Sequence, residues 1–203
     1  MNMIVEHLGK TPDIHPTAYV APNAAVCGDV TVGENSRILF GASIVAEGGS
    51  IEIGSHCIIM ENAVVRSTAR FSLSMGNNSL IGPQAHVVGC TIGASVFIAT
   101  GASIFHGAVL EKGVEVRVNG VVHIKSRLPE DQMVPISWIA VGNPAEILPP
   151  NAHDQIWAIQ KPLNFPKSVY GVDRDPDGKT VLPAITEHLS RVYNSLQDDT
   201  VIR

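Results

Sequence analysis

The sequence predicts an all-β solenoid, a left-handed parallel β-helix with an α-helical appendage at its C-terminal end. Three observations carry this reading. An aliphatic residue recurs at every sixth position over long stretches, small and turn-prone residues fill the intervals, and aromatics make up only 5% of 203 residues. A helix would show a period of 3.6 and an ordinary strand a period of two, and neither fits. Six residues suit one short strand and one tight corner. Three such units close a triangular coil with aliphatics stacked inside and backbone ladders between successive coils.

The column begins at Ile14 and runs through Val20, Val26, Val32, Ile38 and Ile44. After "VAEGGSIE" it restarts at Ile53, Ile59 and Val65. Resumed at Leu80, it continues through His86, Ile92, Ile98, Ile104, Leu110, Val116 and Val122, with His86 as its one break. Residues 66–79, "RSTARFSLSMGNNS", lack the period and are expected to project as a loop. Near "KSRLPEDQMVPISW" (125–138) the repeat is expected to end in a proline-containing turn, before a last strand and exit turn in "WIAVGNPAEILPP".

Residues 1–150 therefore form the β-helix domain and 151–203 a C-terminal extension. In that extension Asn151 can cap a helix that packs through Ile156, Trp157 and Ile159. "KPLNFPKSVYGVDRDPDGKT" reads as extended chain with a surface turn at "DPDGKT". Ile185, Leu189, Val192 and Leu196, at spacings of 4, 3 and 4, predict an amphipathic helix that packs on the β-helix of its own or a neighbouring subunit.

Composition narrows the function. A formal net charge of −5 without a basic block points away from nucleic acid. No apolar run reaches the roughly 18–20 residues of a membrane span. "MNMIVEHLGK" lacks the layout of a secretory signal, and three widely spaced cysteines suit reduced thiols, so a cytoplasmic protein is expected.

"IHPTAYVAPNAAVCGDVTVGENSRI", the later "IGPQAHVVGCTIG" and the terminal "VGNPAEIL" resemble the gamma-class carbonic anhydrase family, from about Ile14 to Leu148. The resemblance implies a homotrimer of left-handed β-helices with clefts between subunits, each zinc held by three histidines from two chains. At the three ligand positions this chain has Arg66, Pro83 and Val88. Three imidazoles on an open zinc are what bring its bound water towards neutral pKa, and none of these residues replaces them. The family's Arg–Gly–Asp becomes Val45–Ala46–Glu47 and its Gln–Asp becomes Met60–Glu61, while Asn119 matches an asparagine some members keep in the cleft.

Two constellations remain. His106 and His123, with His86, lie on hexads sharing one face, with His106 one coil above Val88. They can be an acid–base pair or a displaced metal site, or simply hydrogen-bonded interface histidines, and His86 is expected to point inward. Arg66 and Arg70, near Glu47 and Glu61, can hold a small carboxylate or other anionic or acyl ligand by a bidentate contact. Alternatively Arg66 neutralises Glu47 or Glu61 where the metal was. No serine triad or phosphate loop is evident.

Three functions stay open at this point. One is a trimeric ligand-binding or scaffold protein without zinc or other cofactor. Another is an acyltransferase or thioesterase acting on a CoA ester, with His106 or His123 as base. The third is a carbonic anhydrase with a moved zinc.

Overall fold

A computed structural model describes residues 3–174 and 180–202. Its core is a parallel β-solenoid with three faces, formed by sheets of 10, 7 and 7 strands. Most strands are two or three residues long, which leaves the rest of each hexad for the corner. Many corners pass through a non-glycine residue in the left-handed conformation, among them Asn35, Asn62, Asn78 and Asn119. Asparagine tolerates that conformation better than β-branched residues do, which explains its place between the aliphatic positions.

The interior column is dry and aliphatic. Val26, Ile44, Val65, Val87, Ile104, Val122 and Ala140 follow one another across the ten-stranded sheet and are fully buried. Ile38, Ile59, Ile81, Ile98, Val116 and Val134 do the same on a second face. Each coil stacks like on like, so burial and backbone ladders reinforce one another along the axis.

Three expectations need correction. The column resumes at Ile81 and Val87, not at Leu80 and His86, because Val87 is the residue paired with both Val65 and Ile104. His86 therefore points outward and is half-buried. Residues 66–79 do not project as a loop. They hold the end of strand Val64–Thr68, a tight turn bridged between Thr68 and Phe71, and strand Leu73–Met75. Leu73 and Met75 are buried aliphatic positions, so the segment keeps the solenoid closed. Nor does the repeat end near 125, since Leu128 and Val134 continue the buried columns.

Gly89 shows why the frame changes here. Its φ of +50° lies in the left-handed region, and a Cβ there would fall 2.5 Å from the Cβ of Phe71. Only glycine lets the chain turn back against the Phe71 strand edge.

Beyond the solenoid, strand Glu146–Leu148 folds back antiparallel on Ile139–Val141. Helix α1 spans His153–Gln160. Its N-cap is Ala152 with no side-chain cap bond, not Asn151, and Ile156 is buried while Trp157 is exposed. The segment expected to be extended instead contains short helical turns at Lys161–Leu163 and Pro166–Tyr170. Most of the predicted "DPDGKT" turn, residues 175–179, lies outside the described residues. Helix α2, Leu182–Asn194, is the expected amphipathic helix, with Ile185 buried. A final strand, Thr200–Val201, pairs antiparallel with Met3–Glu6. No helix among the described residues is long and apolar enough to cross a membrane.

Candidate functional site

The ten-stranded sheet brings four neighbouring strands to one outer face: Ser43–Glu47, Val64–Thr68, His86–Val88 and Ser103–Ile104. Alternation along strands sends Ile44, Val65 and Val87 inward, so Val45, Arg66 and Val88 emerge together outside. Glu47 follows two residues after Val45, level with Thr68. Helix α2 lies over this face. Between them is a cavity of about 590 Å³ whose floor carries Glu47, Arg66, His86, Val88 and His106. Its roof is made by Leu189, Val192, Tyr193 and Leu196, with Phe165 and Tyr170 at the side. Helical periodicity gives α2 one apolar stripe, and that stripe is what roofs the cleft.

Arg66 forms an ion pair with Glu47 through its Nη2. Burial works against the guanidinium charge, but contacts with the Tyr193 side chain and with Glu47 outweigh it and raise the Arg66 pKa. The histidines respond in the opposite sense. Burial, and then the nearby Arg66 charge, lower the pKa of His86. His106 is pushed down to about 4, first by burial and then by His86 and Arg66. Its ring meets the Phe71 ring edge-on at 5.4 Å, and its buried Nδ1 has no hydrogen-bond partner among the described residues. At neutral pH the cleft floor thus holds one fixed cation, Arg66, ion-paired on one side, beside the uncharged imidazoles of His86 and His106, with Arg70 at the cavity edge.

Of the other predicted site residues, Val88 and Arg70 line the cavity and the rest lie elsewhere on this chain. Val88 is level with Phe105 rather than His106, because the register matches Val87 to Ile104. His123 stands beside Phe105, with ring centroids 6.3 Å apart, and does not line the cavity with His106. Burial lowers the His123 pKa, opposed by a backbone contact at Ile124. Glu61 is a half-buried corner residue whose carbonyl accepts the Gln84 N–H, and it is not ion-paired to Arg66. Asn119 is an exposed left-handed corner residue whose side chain lies against Gly101. Pro83 is also at a corner, its carbonyl accepting the Gly101 N–H. Arg70 reaches the cavity edge and donates to the Lys167 carbonyl at 3.2 Å, fastening the C-terminal segment. The reading from sequence did not assign Tyr193 to this site. Only the amphipathic spacing of α2 hinted that its apolar face would cover something.

At Arg66, Pro83 and Val88, the positions the resemblance assigns to the zinc ligands, a guanidinium cation repels the ion, while proline and valine have no side-chain donor. The residues do not fit the metal at those positions.

No family model matches the chain. Over 146 residues it is 34% identical to gamma carbonic anhydrase 1, mitochondrial, of Arabidopsis thaliana, covering 68% of this chain and 50% of that protein. The chain thus spans about half the length of these curated relatives. Among solved structures, it resembles a hexapeptide transferase family protein from Anaplasma phagocytophilum (TM-score 0.52, 23% identity, 95% of this chain and 98% of that one). It also resembles the UDP-N-acetylglucosamine O-acyltransferase of Moraxella catarrhalis (TM-score 0.54, 17% identity, 92% and 93% covered). At these identities the two structures speak to the fold alone. Periodicity, solenoid and sequence relatives together make this chain a gamma-class carbonic anhydrase-like protein of the hexapeptide-repeat superfamily.

Proposed function

We propose that the chain is a trimeric ligand-binding or scaffold homologue of the gamma class, that it does not hydrate CO₂ through the family's zinc centre, and that its rebuilt cleft takes a small acyl carboxylate. One observation carries the reading: a charged Arg66 at the floor of a cavity whose lining is largely apolar, with Val88, Phe105, Phe165, Leu189 and Val192 among its walls. A carboxylate suits the planar guanidinium, and an acyl chain suits the walls. Glu47 holds the fork in place, and the neutral imidazoles add no second charge.

The trimer has separate support. Ile58, Leu80 and Phe97 are consecutive in one outward row of a seven-stranded sheet, flanked by Arg37 and Glu115, with exposed Tyr19 and Met133 beyond them. Large apolar side chains gathered on one outer face, with charged residues between them, suit an interface that two further copies of the chain would cover. Light scattering on the purified protein checks this, and a stable monomer would refute it. Three free thiols fit a reducing compartment such as the cytoplasm.

A second reading, acyl transfer or thioester hydrolysis with His106 as base, is favoured by the place of His106 in the cavity lining. A histidine pushed down to about 4 is a weak base at neutral pH, which counts against it. A displaced zinc on His106 and His123 loses support because His123 packs on Phe105.

The deciding experiment is a thermal-shift and calorimetric series with straight-chain carboxylates of increasing length, bicarbonate and acetyl-CoA. Stopped-flow CO₂ hydration and acetyl-CoA hydrolysis are measured on the same preparation. Stabilisation that grows with acyl length and disappears in Arg66→Met supports the carboxylate reading. Zinc-dependent hydration, or turnover of acetyl-CoA lost in His106→Gln, would overturn it.

A further inference from the structure

The first coil and the C-terminal tail bring together three ligand-type side chains away from the cleft floor. Strand Met3–Glu6 pairs with Ala25–Cys27 on one side, matching Val5 to Cys27, and with Thr200–Val201 on the other, matching Glu6 to Thr200. His7 is two residues beyond Val5 and so projects on the same face, beside Cys27. Continuing the antiparallel register one step sets Asp199 opposite His7. The side chains agree with the backbone. One ligand atom from each of His7, Cys27 and Asp199 lies within 4.8 Å of the others.

We propose that His7, Cys27 and Asp199 form a zinc site, with Asp198 as the nearest further donor, and that the ion clips the C-terminal tail to the first coil. Imidazole, thiolate and carboxylate are the ligand types zinc prefers. Asp199 Oδ1 is 2.7 Å and Asp198 Oδ1 3.8 Å from His7 Nδ1, so both carboxylates already face the imidazole. Asp198, Asp199 and Glu47 together surround the Cys27 thiol with negative charge. Among the described residues His7 is the one side chain within ion-pair distance of either tail aspartate. His7 is 6% exposed, and Nδ1 is the ring atom it turns to the two carboxylates. A ring so enclosed, beside a thiol and two carboxylates, is better satisfied by a cation than by a single hydrogen bond.

On binding, the Cys27 S–H releases its proton to solvent as the zinc–sulfur bond forms, and the His7–Asp199 hydrogen bond gives way to two bonds to the metal. The consequence reaches the cleft. Leu8 and Leu196, neighbours of His7 and Asp199 in sequence, line the cavity, and α2 ends at Asn194. A closed clip therefore anchors the helix that forms the roof.

The test uses the full chain, stripped of metal with a chelator and titrated with Co²⁺. One equivalent should produce a thiolate-to-cobalt charge-transfer band in the near ultraviolet, displaced by Zn²⁺. Cys27→Ser should abolish the band, whereas Cys57→Ser and Cys90→Ser should keep it. Because Cys27→Ser can also disturb the coil, Asp199→Asn, on an exposed side chain, provides the second measurement. Competition with a chromogenic chelator should show zinc affinity falling about 10–100-fold in that variant. Hydrogen exchange at residues 195–202 should slow on adding zinc to wild type and remain unchanged in Asp199→Asn. No cobalt band, a band that survives Cys27→Ser, or equal zinc affinity in Asp199→Asn would overturn the site.

Discussion

Replacing Arg66 with methionine keeps an apolar stem of similar reach and removes the charge, so it isolates the ion pair with Glu47. The Glu47 side chain is 14% exposed and that of Arg66 34%, so the pair lies between a buried bridge and a surface one. Removing one partner of a fully buried pair costs about 3–5 kcal/mol, and an exposed pair contributes about 0–1 kcal/mol. The carboxylate left behind is the better buried member, which places Arg66→Met at about 2 kcal/mol of destabilisation. In a chain of this size each kcal/mol moves the midpoint by roughly 2–4 °C, so Tm should fall by about 4–8 °C. Glu47→Gln strands the more solvated guanidinium and should cost about half as much. The double variant Arg66→Met with Glu47→Gln should recover most of the loss, since no unpaired charge remains. Differential scanning calorimetry on the four proteins closes the cycle. Should Arg66→Met melt with wild type, or the two single losses simply add, the carboxylate and guanidinium are not holding one another in the folded protein.

Acid should destabilise the protein through His106. Its folded pKa, about 4, lies below the ordinary histidine value of about 6.5, so the unfolded chain takes up a proton first as pH falls. The stability is whole above about pH 6.5 and is lost progressively down to about pH 4, amounting to roughly 2 kcal/mol between pH 8 and pH 5. His106→Leu should flatten that part of a pH–denaturation series, and an unchanged slope would refute the assignment. Gly89→Ala must adopt a positive φ and push its methyl against Phe71. A loss of about 1–3 kcal/mol in urea melts is expected, with a changed His106 imidazole resonance because Phe71 packs on that ring. Val192→Asp sets a charge into the cavity roof and should abolish ligand-induced stabilisation by carboxylates, while far-ultraviolet circular dichroism of the solenoid stays the same.

The sequence by itself determined the solenoid, because one inward side chain per hexad is a constraint every coil repeats. Ile38, Ile44, Ile59, Ile98, Ile104 and Leu110 could be assigned to the interior from spacing alone, and all are buried. That Arg66, Pro83 and Val88 offer a zinc ion no neutral side-chain donor follows equally from the sequence, since it depends on side-chain chemistry alone. Register across the interruption was not. Whether the column resumes at His86 or at Val87 is decided by which residue pairs with Val65 and Ile104, and a shift of one residue reverses every side chain from interior to surface. The same shift moved Val88 level with Phe105, while His123, on the strand beyond and packed on Phe105, stays out of the cavity lining that His106 joins. Only the tertiary structure could choose Glu47 over Glu61 as the partner of Arg66, because both carboxylates are near in sequence pattern and only one shares its face. It also decided that α2 covers the cleft and delivers Tyr193 to Arg66, and that the tail brings Asp199 to His7. Those contacts join segments more than a hundred residues apart, where spacing along the chain carries no information about separation in space.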